Sequence, residues 1–151
     1  MYAQPPSVIA IAPDDYHAKH VGHTADGRQF FLTTPFTPPG PSPSYPGAEF
    51  VALYLFDAQG ALLEARIDSF GPLVTMDYEA RNAAYDRHLE SLGTVSHERI
   101  NIAPFSIERF ALEFGLILWE PKEEDGKWYA TIEPGDYMAF FAPWDSGEYD
   151  T

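Results

Sequence analysis

Residues 49–68 read EFVALYLFDAQGALLEARID, and this segment decides the fold class. Residues 50–56 are apolar on both alternating faces, a pattern typical of a strand that is covered on both sides. The next four residues, D-A-Q-G, predict a turn. Residues 61–68 then alternate between apolar and polar side chains, which indicates an antiparallel partner strand with one face in the core. The side chains expected to face inward there are Leu63, Ala65 and Ile67.

Further strand-like segments lie on both sides of this hairpin. Residues 19–24 and 29–34 flank an Asp-Gly turn and predict a second hairpin. Short apolar runs at 8–12 and 99–103 each stop at a proline. In the C-terminal third, turn-forming residues separate three more predicted strands, at 110–119, 127–133 and 136–142. The first of these should bury one face, formed by Leu112, Phe114, Leu116 and Leu118.

One helix is predicted, from about residue 76 to residue 92. Thr75 is a suitable N-cap, Asp77 and Glu79 favour the positive end of the helix dipole, and Gly93 suits the C′ position. The expected apolar stripe consists of Tyr78, Tyr85, Leu89 and Leu92 with Ala84 beside it, and the opposite side carries Arg81, Arg87 and Glu90. The predicted fold is therefore α+β, a mainly antiparallel, hairpin-rich sheet of six or more strands with one packed α-helix. A strongly curved or barrel-like sheet is the alternative.

The length of 151 residues and a hydrophobic content of 45% predict a single domain over residues 1–151. Two segments stand apart by composition: a Pro-rich loop at 35–47 and an acidic, aromatic tail at 143–151. The loop contains P-x-x-P three times, a spacing that suits polyproline II recognition. In so proline-rich a segment the match is nearly automatic, and we expect a stiff loop without ladder pairing, pinned by Phe36 and Tyr45.

The strong excess of acidic residues is more informative about function than any sequence motif, because it excludes several classes of partner. The chain has 23 acidic and 9 basic residues, a formal net charge of -14. Nucleic acids and anionic membranes would be repelled, whereas a partner protein with a basic surface would be attracted. The absence of cysteine excludes disulfides and Cys-ligated metals. With no secretory signal or membrane-length apolar run, we expect a cytoplasmic protein without a cofactor.

Three histidines recur at intervals of three residues, close to two carboxylates. They are His17, His20 and His23, just after Asp14 and Asp15. Imidazole and carboxylate groups bind divalent transition metals, so a surface metal site is one hypothesis. On a strand, however, His20 would point away from the other two. A polar loop that runs into an edge strand is the competing interpretation.

The C-terminal region combines negative charge with aromatic side chains. Nine acidic residues and two lysines follow from Glu120 onward. Aromatics in an acidic surround are typical of a contact surface for a basic protein, although a solvated acidic face over a shared aromatic core fits too. The candidate partner-binding residues are Trp144, Asp145, Glu148, Tyr149 and Asp150. The tail could equally be an arm folded back onto the body.

No nucleophile elbow, phosphate-binding glycine loop, dinucleotide fingerprint or zinc-protease motif occurs. Residues 140–151, FFAPWDSGEYDT, and residues 22–30, GHTADGRQF, resemble segments of small acidic bacterial proteins, some of which are labelled formate hydrogenlyase regulatory protein. That resemblance implies a regulator that acts through another protein. We therefore expect a non-enzymatic regulator or immunity-type inhibitor that binds a basic partner. The alternative is a small-molecule or metal-binding protein, or an enzyme, with a pocket between sheet and helix that uses His17, His20 or His23.

Overall fold

The computed structural model describes residues 4–40, 46–124 and 126–151, and its fold is α+β. These ranges contain twelve strands, one α-helix and one 3₁₀ turn. The first six strands are β1 (Ile9–Ile11), β2 (His20–Thr24), β3 (Gln29–Thr33), β4 (Phe36–Thr37), β5 (Ala48–Phe56) and β6 (Leu62–Ser69). The 3₁₀ turn (Leu73–Thr75) and the helix α1 (Tyr78–Ser91) follow. The remaining strands are β7 (Val95–His97), β8 (Ile100–Ile102), β9 (Phe105–Arg109), β10 (Leu112–Trp119), β11 (Tyr129–Glu133) and β12 (Ala139–Phe140).

Strand β5 is the centre of the largest sheet. The sheet order is β4-β5-β3-β2-β7, and β6 pairs with β5 as well. Strands β3 and β4 lie along one edge of β5 in a single register, because Thr33 pairs with Ala52 and Phe36 pairs with Glu49. The residues of β5 from Phe50 onward are all buried, as the double-sided apolar pattern predicts.

The chain packs in three layers, with this central sheet in the middle. On one side, Val51, Leu53 and Leu55 contact a small core that includes Leu92 and the helix residues Tyr85 and Leu89. On the other side, a larger core joins the central sheet to a four-stranded sheet of order β12-β11-β10-β9 and to the β1-β8 pair. All the strand pairs are antiparallel in the described residues, which confirms the predicted fold class.

The helix differs from the prediction at its start and on its faces. Its N-cap is Asp77, whose carboxylate accepts the backbone N–H of Ala80, whereas the predicted cap Thr75 ends the 3₁₀ turn. Tyr78 was predicted to lie in the apolar stripe but is 52% exposed. Arg81 does not sit on a purely solvent side, because its Nη1 lies 2.6 Å from Glu49 Oε1 on β5.

Three strand predictions are also wrong in detail. Leu63 is 56% exposed because a register shift between Leu55 and Phe56 makes it the extra residue of a β-bulge, so Leu62 takes the inward position. The segment predicted as one strand at 110–119 begins with a turn that joins β9 to β10, and β9 was not predicted. The Pro-rich loop, predicted to have no ladder pairing, contains the short strand β4. The predicted contacts of Tyr45 and the P-x-x-P repeats through residues 41–45 lie outside the described residues.

Candidate functional site

The C-terminal tail turns at residues 142–146 and then runs between two elements of the larger core. The backbone N–H groups of Ala10 and Ala12 on the β1 side donate to the carbonyls of Trp144 and Gly147, each at 3.0 Å. Further along, Ala139 and Asp150 exchange a pair of 2.9 Å backbone hydrogen bonds. Gly147 lies against Ala12 at a φ of 78°, where a Cβ would come within 2.6 Å of the Ala12 side chain. The tail therefore folds back onto the body of the protein, which was one of the two interpretations of its sequence.

A polar network locks the tail to the loop that follows β1. The Tyr149 hydroxyl donates to Asp14 Oδ2 and accepts the backbone N–H of His17 at 3.0 Å. The other oxygen of the Asp14 carboxylate accepts the N–H groups of Tyr16 and Ala18, each at 2.9 Å. Burial alone would raise the pKa of Asp14, but these hydrogen bonds favour the carboxylate and hold its pKa below the ordinary value. Burial and the contact with Asp14 raise the pKa of Tyr149 to about 12, so its hydroxyl stays protonated at neutral pH.

The network forms one wall of an open groove. This groove has a volume of about 580 Å³ and runs between the loop after β1 and the tail. Its lining includes the acidic side chains Asp14, Glu148 and Asp150 and the aromatic side chains Tyr16 and Tyr149. No lysine, arginine or histidine contributes to this lining in the described part of the chain. We call this surface the acidic groove.

The predicted partner-binding residues divide into two groups. Trp144 and Tyr149 are half-buried and pack against the larger core, so they anchor the tail. Asp145, Glu148 and Asp150 are exposed. None of these three takes part in the ion pairs found among the described residues, which involve Asp26, Glu64, Glu49 and Asp68. Arg99 Nη1 donates to the Asp145 backbone carbonyl at 2.8 Å, so a cation lies beside the tail at that residue. The tail therefore holds three exposed carboxylates on a fixed backbone.

The structure does not bring the three predicted metal ligands together. The His17 ring lies beside Tyr16 and Tyr137, with centroid distances of 3.8 Å and 4.9 Å. His20 faces α1, where its Nδ1 is hydrogen-bonded to the Tyr85 hydroxyl. His23 lies on the face of β2 opposite to His20, as the alternation of side chains along a strand predicts. Within the described residues, no group of three or more His, Cys, Asp or Glu side chains is placed to hold a metal ion.

Sequence reasoning missed two residues that lie beside the predicted ones, Tyr16 and His97. Tyr16 is 62% exposed on the acidic groove, and its position next to Asp15 in the sequence is the one local signal that could have indicated it. His97 comes within 5.4 Å of the His20 ring although 77 positions separate them in the chain, so no local pattern could show it.

In the ranges described, the single α-helix, with 14 residues, falls short of what crossing a bilayer requires.

Comparison with protein-family models, with curated proteins and with solved structures finds no match to this chain. The resemblance of residues 22–30 and 140–151 to the regulatory proteins named above therefore stays a prediction.

Proposed function

We propose that this protein binds a partner protein with a basic segment and that the acidic groove is the contact surface. The observation that carries the proposal is a groove with three carboxylates, two tyrosines and, among the residues that the structure describes, no cation in its lining. A lysine or arginine side chain that enters it would exchange bulk water for charge-assisted hydrogen bonds to Glu148 or Asp150. Tyr16 and Tyr149 would flank the stem of that side chain and its cation.

The fixed position of the tail favours such binding. Backbone hydrogen bonds to Ala10, Ala12 and Ala139 set the course of the tail before a partner arrives. A surface that is already ordered loses little conformational entropy on binding. The net charge of -14 would speed the encounter with a basic partner, and added salt would slow it. The biological outcome would be occlusion of the partner's basic surface, as expected of a regulator or an immunity-type inhibitor.

Charge neutralisation is a sharper test than removal of the tail. Deletion of residues 144–151 would break the backbone bonds to Ala10, Ala12 and Ala139 and so disturb the fold as well as the groove. The double variant Glu148→Gln with Asp150→Asn keeps those bonds and removes two charges. A matched control is Glu108→Gln with Glu120→Gln, which removes two exposed carboxylates elsewhere.

The experiment compares proteins captured from a lysate of the native host by the wild-type chain and by both double variants. We expect the wild type and the control to capture the same partner at about 50 mM salt and the groove variant to lose it. Capture should also fall steeply by about 500 mM salt. An identical set of partners for all three proteins, or capture that is indifferent to salt, would show that the groove is not the contact surface.

A further inference from the structure

A second depression, chemically unlike the acidic groove, lies between α1, the central sheet and residues 36–39 and 46. It consists of two hollows that share His17 and Thr34 in their linings. The polar hollow has a volume of about 270 Å³ and the apolar hollow about 430 Å³. Together they fall in the size range of small-molecule clefts in proteins. We call the pair the helix cleft.

The polar hollow carries positive charge in a strongly acidic chain. Lys19 and Arg81 contribute to its lining, and no carboxylate does in the part of the chain described. Lys19 is exposed and takes part in none of the ion pairs found among those residues. Arg81 uses Nη1 for Glu49 and Nε for Asn82 at 3.0 Å. Its guanidinium has further N–H donors on Nη2, so an anion at this end would meet a charge-assisted donor.

Histidine and tyrosine side chains complete the polar end without adding charge. Burial lowers the pKa of His20, and the neighbouring His97 and Lys19 lower it further. Together these effects outweigh the nearby Asp86 carboxylate, which would raise the pKa. Burial, assisted by Asp86, raises the pKa of Tyr85 to about 12. Both rings are therefore neutral at pH 7 and act as hydrogen-bonding groups around the cations.

The apolar hollow exposes hydrophobic side chains that the fold leaves uncovered. Val74 is 89% exposed, Leu73 is 57% exposed and Phe36 is 37% exposed. Pro38, Pro39 and Pro46 also line this hollow. Glu49 is the one carboxylate in its lining among the described residues, and it is paired with Arg81. Exposed apolar side chains that converge on one cleft are typical of a ligand site, because a bound apolar body removes them from water.

We propose that the helix cleft binds a small amphipathic carboxylate. Its anionic head would lie between Lys19 and Arg81, and its hydrocarbon or aromatic body would run past His17 to Leu73 and Val74. The junction of a cationic end with an apolar end favours this class over a purely polar anion or a neutral hydrocarbon. Tyr16 lines both the polar hollow and the acidic groove. The proposal rests on other residues than the partner-binding proposal, because Asp14, Glu148 and Asp150 lie outside this cleft and Lys19, Arg81 and Val74 lie outside the groove.

The test uses octanoate as the probe and compares it with octanol and octylammonium, which share its chain. Isothermal titration calorimetry on the full chain should show binding of octanoate and at least tenfold weaker binding of the other two. Lys19→Gln should weaken octanoate binding by about tenfold through loss of one charge-assisted contact. Val74→Ser should weaken it by about fivefold through loss of apolar contact area.

Matched controls separate the site from general effects of charge and hydrophobicity. Lys127→Gln removes an exposed lysine elsewhere, and Leu63→Ser removes an exposed apolar side chain on β6. Both controls should bind octanoate as the wild type does. No heat with about 5 mM octanoate, equal binding of octylammonium, or equal weakening by the controls would overturn the proposal.

Discussion

Replacement of Tyr149 by phenylalanine tests how the tail is held, because it removes one oxygen and keeps the ring. The hydroxyl donates to the Asp14 carboxylate and accepts the His17 N–H, so both contacts are lost together. A hydrogen bond to a charged group contributes about 1.5–3 kcal/mol when buried, and a stranded N–H costs about 1 kcal/mol or more. Since the contact with Asp14 is largely exposed, we expect a total loss of only about 1.5 kcal/mol in the free energy of unfolding.

Urea denaturation and thermal melting measure this change. For a chain of this size, a loss of about 1.5 kcal/mol corresponds to a fall in Tm of about 3–6 °C. The control is Tyr16→Phe, because the Tyr16 hydroxyl makes no hydrogen bond within the described residues and should contribute almost nothing. Equal losses for the two variants, or less than about 0.5 kcal/mol for Tyr149→Phe, would refute the argument.

The same variant has a predicted dependence on pH. The pKa of Asp14 is lower in the folded chain than its ordinary value of 3.8, so its stabilising contribution is complete above pH 3.8 and is lost as the pH falls through the folded-state pKa. Without the Tyr149 hydroxyl, that pKa should rise. The stability difference between wild type and Tyr149→Phe should therefore be constant near neutral pH and shrink in acid. A difference that grows as the pH falls would contradict this linkage.

Three further substitutions probe the fold. Gly22→Ala should lower Tm by more than about 10 °C or prevent folding, because the added Cβ would lie 1.9 Å from the Ser96 carbonyl oxygen. A melting temperature close to that of the wild type would show that β7 is displaced easily. Tyr54→Phe should leave stability unchanged or raise it by about 1 kcal/mol in urea denaturation, because its buried hydroxyl has no partner in the described residues; a clear loss would show that the hydroxyl is satisfied. Asp77→Ala should cost about 1 kcal/mol because it removes the cap on Ala80, and an unchanged urea midpoint would show that the cap contributes nothing.

Local patterns predicted the parts of the fold that local chemistry determines. The Asp-Gly turn, the double-sided apolar run and Gly93 each have a signature within a few residues. The β9-β10 turn has none, because Phe110 and Ala111 both adopt positive φ values, 54° and 61°, without the glycine or asparagine that usually marks such a turn. The Phe110 ring stacks on Phe50 with a centroid distance of 5.7 Å. A tertiary contact therefore accompanies a conformation that the local sequence does not favour.

The sequence predicted which types of residue form the candidate site, but it did not predict where they lie in the fold. The carboxylates and aromatics of the tail can be counted in the sequence, but which of them stay exposed depends on contacts with residues 10–17, more than 120 positions away. The three histidines show the same dependence on tertiary structure. Their regular spacing suggested a shared site, whereas the strand geometry of β2 and the packing of His17 against Tyr16 and Tyr137 separate them.

Strand β1 has a consequence for how the chain reaches this fold. Residues Ile9, Ala10 and Ile11 are almost completely inaccessible, yet one edge of the strand is closed by residues 100–102 and the other by residues 144–147. During synthesis, this apolar segment leaves the ribosome before residues 100–102 and 144–147, so neither neighbour exists when it appears. Until those residues are made, the apolar segment stays exposed and is prone to aggregation. Its protection would depend on chaperones or on rapid release of the chain from the ribosome.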